Sequence, residues 1–184
     1  MGRIIGSIVL VMVTSLTAIT FASQTDGRLN VLFDRLKATD SEAEAAALTH
    51  QIWVIWGQSD SAVVDALMTE GVAAMSRRDY EEALAVFDKV VGTEPDFAEG
   101  WNKRATVYYL MGEYEASVRD VERTLTLEPR HFGALSGLGL IYIAVGDDLA
   151  ALKAFEAALK VNPHLPGARV HAERLRRYLR NNSI

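Results

Sequence analysis

Residues 98–131 read AEGWNKRATVYYLMGEYEASVRDVERTLTLEPRH. Pro129, near the end of this stretch, has counterparts at Pro95 and Pro163, each 34 residues away. Aligning on the prolines sets two further copies beside it, beginning at Val64 and Phe132. The copies agree in residue class. The fourth place holds Leu67, Trp101 and Leu135, and the eighth holds Gly71, Ala105 and Gly139. The eleventh holds Ala74, Tyr108 and Tyr142, and the twentieth Ala83, Ser117 and Ala151. The twenty-fourth holds Phe87, Val121 and Phe155, and the twenty-seventh Val90, Thr124 and Ala158. A fixed period of this size marks a stacked array. In each copy two amphipathic helical patterns flank a tight turn, at MSRRDYEEA, LMGEYEASV and AVGDDLAAL. Small residues at places 8 and 20 let paired helices approach, and large ones at places 4, 11 and 24 fill the space around them. Asp79 with Glu82 reads as a capping box. Each proline ends a helix, having no N–H to continue it.

Over residues 64–163 this pattern resembles the tetratricopeptide repeat family, and among its members the small exported ones of proteobacteria. The resemblance implies an all-α fold: a right-handed α-solenoid of three helix pairs, residues 64–97, 98–131 and 132–165. One pair cannot bury its own apolar face, so neighbours stack and leave a concave groove. Residues 166–180, with Ala168, Ala172, Leu175 and Leu179 on one stripe, read as a capping helix, followed by a tail at 181–184. Residues 28–60 contain GRLNVLFDRLKA in part and SEAEAAALTHQIWVIW in full, two more helices forming a divergent N-terminal repeat or cap. Ser41 and Glu44 suggest a capping box for the second of these. SQTDG, residues 23–27, reads as a flexible lead, and GQSDS, residues 57–61, as a turn between helices.

The beginning of the chain carries a different signal. MGRIIGSIVLVMVTSLTAITFA has one early cation, Arg3, and an uncharged apolar run to Ala22, the form of an export signal. Cleavage after Ala22 places the protein in a periplasm. Uncleaved, the run is about 28 Å long as a helix and anchors the protein in a membrane facing that compartment. Ser7, Thr14, Ser15, Thr17 and Thr20 dilute the run and favour cleavage. The 184-residue chain has no cysteine, which excludes disulfides and thiolate chemistry. Its net charge of −5 gives no global footprint for nucleic acid. The Arg-rich tail at 169–180 offers a membrane contact or a solvated cap.

In the resembled family the first helix of each pair lines the groove, chiefly through places 2, 5, 6, 9, 12 and 13. That mapping selects Asp65, Met68, Thr69, Val72 and Met75 in the first unit. It selects Glu99, Asn102, Lys103, Thr106 and Tyr109 in the second, and Gly133, Ser136, Gly137, Leu140 and Ile143 in the third. Gly139 falls at the helix-packing place. Gly133 and Gly137 expose backbone in the groove, so a bound segment or a neighbouring helix can approach the third unit closely. The N-terminal hairpin is one such neighbour. The resemblance also brings a test. Chaperone-binding members hold a carboxylate with Lys and Asn on successive first helices, but Met68, Val72, Gly133 and Gly137 stand at those places, and only Asn102 and Lys103 offer anything similar. A carboxyl-terminal chaperone tail is therefore not the expected ligand. Trp53 and Trp56 share one helical face and are expected to pack on the first full repeat, the alternative being an exposed aromatic patch that binds a partner.

Catalysis has no support in the residue pattern. His50, His131, His164 and His171 are scattered, and His131 and His164 read as polar residues of inter-repeat turns. No phosphate loop or nucleophile elbow is present. No cofactor or metal is implied. The expected function is a non-catalytic, exported adaptor that holds a partner protein or peptide segment in its groove, with a role in cell-envelope assembly or integrity by analogy. A membrane-anchored or self-associating scaffold, or an accessory subunit of an envelope enzyme, is the alternative.

Overall fold

The computed structural model describes residues 23–182, so the expected export segment at 1–22 lies outside the described residues. The described residues form nine α-helices and no strand: α1 (Arg28–Ala38), α2 (Glu42–Trp56), α3 (Ala62–Ser76), α4 (Tyr80–Thr93), α5 (Ala98–Met111), α6 (Tyr114–Leu127), α7 (Phe132–Ala144), α8 (Asp148–Val161) and α9 (Pro166–Asn182). From α3 to α9 each helix packs on the next, and α5 also touches α7. This is an α-solenoid of three helix pairs, and its period is written in the contacts.

The eighth and twenty-fourth places meet inside each pair. A Cβ at Gly71 would lie 2.6 Å from Phe87 Cζ, and one at Gly139 would lie 2.7 Å from Phe155 Cζ. The middle pair uses Ala105 and Val121, both buried in one cluster. A phenyl ring requires the glycine, and a smaller valine leaves room for one methyl. Gly139→Ala is therefore expected to destabilise by about 1–3 kcal/mol through overpacking, despite alanine's better helix propensity. Phe155→Val should offset part of that loss. Chemical denaturation of the two single variants and the double should give a favourable coupling of about 1 kcal/mol or more, the signature of side chains in direct contact.

The turn inside each pair also repeats. Arg78, Gly112 and Gly146 have φ of 61°, 81° and 81°. After each, a backbone N–H donates to the carbonyl five residues back: Asp79 to Ala74 at 3.0 Å, Glu113 to Tyr108 at 2.9 Å and Asp147 to Tyr142 at 2.9 Å. Only the first unit places a side chain on a left-handed residue. Arg78→Gly should raise stability by about 0.5–1 kcal/mol, the relief of left-handed strain exceeding the added freedom of the unfolded glycine. Thermal melts of wild type and variant would read it.

The capping boxes form only by half. Asp79 accepts the Glu82 N–H at 3.1 Å, but the Glu82 carboxylate turns to Arg77 at 2.7 Å. Ser41 accepts the Glu44 N–H at 3.3 Å, while Glu44 takes the Thr39 hydroxyl and Arg35. A nearby cation or hydroxyl competes successfully for each carboxylate. At the far end Ala168, Ala172 and Leu175 bury the stripe of α9 against α8, and Arg176 pairs with Glu156 at 2.8 Å.

The N-terminal hairpin forms, but its place differs from the expectation. Trp53 and Trp56 do not dock on the first repeat. The hairpin's cluster joins Leu29, Phe33, Leu36, Leu48, Ile52 and Trp56 to Phe132, with Val161 and Leu165 at its edge, and contains no side chain of α3 or α4. Polar bonds agree: the Asn162 amide donates to Thr49 at 3.1 Å, and Arg130 donates to Asn30 at 2.8 Å. The hairpin thus folds across the concave side onto the start of the third pair. The physical reason is that α2 is apolar on more than one side, and α7 offers an apolar Phe132 next to a glycine. Residues 23–27 also differ from a free lead: they open with a short 3-10 turn, and the buried Gln24 donates to the Asp96 carbonyl.

Candidate functional site: the concave face

Of the groove-lining residues, Asp65 and Thr69 stay exposed, the Asp65 carboxylate accepting the Ser59 N–H at 2.9 Å and the Thr69 hydroxyl donating to the Asp65 carbonyl at 3.0 Å; the others fall into three groups. Met68 does not line the groove. It is buried in the first pair's core with Val64 and Phe87, and Met75 packs at that core's edge. The same cluster takes in Phe97 and, from the second pair, Val107, so the fifth place of α3 is enclosed. Glu99, Asn102, Lys103 and Gly133 lie beneath or beside the hairpin. Val72, Thr106, Tyr109, Ser136, Gly137, Leu140 and Ile143 form the remaining wall.

The covered group is tightly organised. Glu99 is 3% exposed and accepts from His131 Nε2 at 2.9 Å, from the Asn102 amide at 2.9 Å and from Lys103 at 2.9 Å. His131 is fully buried and its Nδ1 accepts the Ala134 N–H at 3.0 Å, capping α7. With Nδ1 accepting, the ring proton sits on Nε2 and is donated to the carboxylate. Burial alone would push the Glu99 carboxyl up, but the His131 hydrogen bond and the Lys103 charge outweigh it and hold it below its ordinary value. Lys103 and Asn102 are thus engaged within the protein rather than free for a ligand carboxylate.

Two tryptophans rest on this network. Trp56 stacks on His131 with centroids 4.2 Å apart and planes at 11°. Trp53 meets His131 and Phe132 edge-on, at 5.5 Å and 5.3 Å, and Lys103 lies 5.7 Å from the centre of its ring. A Cβ on Gly133 would come within 2.5 Å of Trp53 Cη2. Gly133 therefore serves close approach, and the neighbour that approaches is the chain's own helix. Beside these rings Arg130, held by the buried Glu128, covers Phe33 at 4.6 Å. His131 does sit in the turn between the second and third repeats, as its spacing implied, but it is buried there and caps α7, which the sequence reading missed. Its available signal was position, immediately before a helix that opens with Phe132 and Gly133, with an acid at place 2 of the preceding unit.

Gly137 behaves differently from Gly133. A Cβ there meets nothing within 4 Å, so the floor is open. Val72 on α3 is 43% exposed, and Leu140 and Ile143 on α7 are partly buried against the third pair's core. The Thr106 hydroxyl is turned to the Asn102 carbonyl at 2.9 Å, and the Tyr109 ring leans on Tyr114. Among the described residues, no group of three or more acidic or histidine side chains is arranged to hold a metal ion.

Comparison with known proteins follows the same lines. The family model described as "Tetratricopeptide repeat" matches residues 68–118 and 102–166. A TPR repeat-containing protein of Rhizobium etli is 39% identical over 136 residues, covering 74% of this chain and 67% of its own length. A heat-shock cognate co-chaperone of Aspergillus fumigatus is 29% identical over 96 residues, covering 52% of this chain and 28% of its own. Among solved structures, the Sgt2 TPR domain from Aspergillus fumigatus superposes with a TM-score of 0.62 at 24% identity, over 66% of this chain and 82% of that one. The first TPR of Spaghetti (RPAP3), solved bound to an HSP90 peptide, gives 0.62 at 21% identity over 66% of this chain and 96% of that one. With the period, the turn geometry and the match to the family model in agreement, this chain belongs to the tetratricopeptide repeat family.

Proposed function

We propose that the protein is a non-catalytic adaptor, exported to the periplasm, that holds a segment of a partner protein on its concave face. The observation that carries this reading is the part of the concave face that the hairpin leaves uncovered: a Cβ at Gly137 would meet nothing within 4 Å, and Leu140 and Ile143, further along α7, are only partly buried. Apolar side chains of an extended or helical segment would gain there what they lose in water. A photo-crosslinking residue at Tyr109, used in cells, should yield a discrete adduct that Gly137→Leu abolishes while the fold is kept. An adduct insensitive to that substitution, or none at all, would refute the reading. Among the described residues no helix is long and apolar enough to cross a membrane. Mature protein beginning near Ser23 in the soluble periplasmic fraction would support export with cleavage, whereas intact protein in membranes would favour an anchored scaffold. A role in envelope assembly or integrity belongs to the same proposal.

A further inference from the structure

We propose that the hairpin α1–α2 is an exchangeable occupant, and that the seat beneath it accepts a partner helix presenting two large aromatic side chains three residues apart, as Trp53 and Trp56 do. This goes beyond the adaptor reading, because it concerns the part of the concave face that the hairpin covers rather than the open floor at Gly137. Three observations carry it.

The first is that the polar network under the rings is complete without the hairpin. Glu99 is satisfied by His131, Asn102 and Lys103, and His131 by Ala134, all of them groups of the second and third repeats. Withdrawal of α2 leaves no buried polar group of that network without its partner, which is the usual penalty for emptying such a site. The second is that the repeats keep their own cores. The three clusters that hold the solenoid together contain no residue of α1 or α2. The hairpin's cluster borrows only Phe132, with Val161 and Leu165 at its edge. The third is that the seat is shaped for rings. The missing side chain at Gly133 makes space for one, the flat face of His131 receives another in parallel, and Lys103 reaches over the first. The hairpin is joined to the repeats by a short polar connection, Gly57–Ser61, so its release requires no unfolding of α3.

The test uses the absence of native cysteine. Thr49 and Asn162 touch across the interface, 3.1 Å apart at their side-chain tips. The variant Thr49→Cys/Asn162→Cys, oxidised, locks the hairpin down, and the same sample reduced is its own control. The probe is a fluorescent peptide of residues 41–60, which carries both tryptophans, measured by anisotropy. The reduced protein should bind it saturably, and oxidation should weaken binding by about tenfold or more, because a locked occupant removes the competent state. In the unmodified protein, hydrogen exchange should show the amides of α1 and α2 opening together while α5–α7 stay protected. No peptide binding to the reduced protein, or hairpin amides that exchange only with those of the repeats, would overturn the proposal. Disulfide-linked dimers would also overturn it, by assigning the seat to a second copy of the chain. A Tyr109 adduct sensitive to Gly137→Leu, alongside a failed peptide arm, would leave the adaptor reading standing and remove only the exchange.

Discussion

Trp56→Ala is expected to free the hairpin from the groove and leave the three repeats folded. Trp56 is 1% exposed and touches Phe33, Trp53, His131 and Phe132. Removing a buried indole of this kind costs about 3–5 kcal/mol. Nearly all of that loss falls on the attachment of α1–α2, since the repeat cores do not include the ring. Hydrogen exchange should therefore lose protection over α1 and α2 while α3–α9 keep theirs. Far-UV circular dichroism should fall by no more than the helicity of the two freed helices. Loss of protection across α5–α7 as well would show that hairpin and solenoid are a single cooperative unit.

Glu99→Ala should act on the repeats themselves. The carboxylate is the common acceptor for His131, Asn102 and Lys103, and its removal leaves two of those donors buried or half-buried without a partner. Broken buried pairs cost 3–5 kcal/mol, but Lys103 is 30% exposed and can turn to water, so about 2–3 kcal/mol is expected. The pH dependence has a definite sign. The Glu99 carboxyl is held below its ordinary value in the fold, so it binds its proton more readily when unfolded. Its stabilisation is present above the ordinary carboxylate range and is lost as pH falls through the lowered folded value. Wild type should thus lose stability on acidification, and Glu99→Ala should flatten that acid limb in denaturation series run from neutral to acid pH. An unchanged acid limb would mean that Glu99 is not an important contributor to it.

The two glycines of α7 show how the site divides between sequence and structure. Both fall at groove-lining places of the 34-residue register, and nothing in the chain distinguishes them. In the fold Gly133 lies against Trp53 and Gly137 faces open space. The same limit applies to Met68, placed on the groove by register yet enclosed by the first pair's core, and to His131, which lies in the expected turn but is buried there as a cap and ring platform. The aromatic run at 52–56 was visible as a face needing cover, but its cover was not.

The helix pairs, their 34-residue period, the tight turn in each and the small-against-large pattern of places 8 and 24 were legible in the chain, because each is a matter of residue type at fixed local spacing; that glycine meets phenylalanine there and that the turns are left-handed came from the fold. That the N-terminal hairpin crosses to the third repeat, about a hundred positions away along the chain as the Asn30–Arg130 bond records, emerges from the folded molecule alone. Local spacing fixes which face of a helix is apolar. Which surface covers that face is settled by shape and charge between distant segments, and no periodicity encodes that choice.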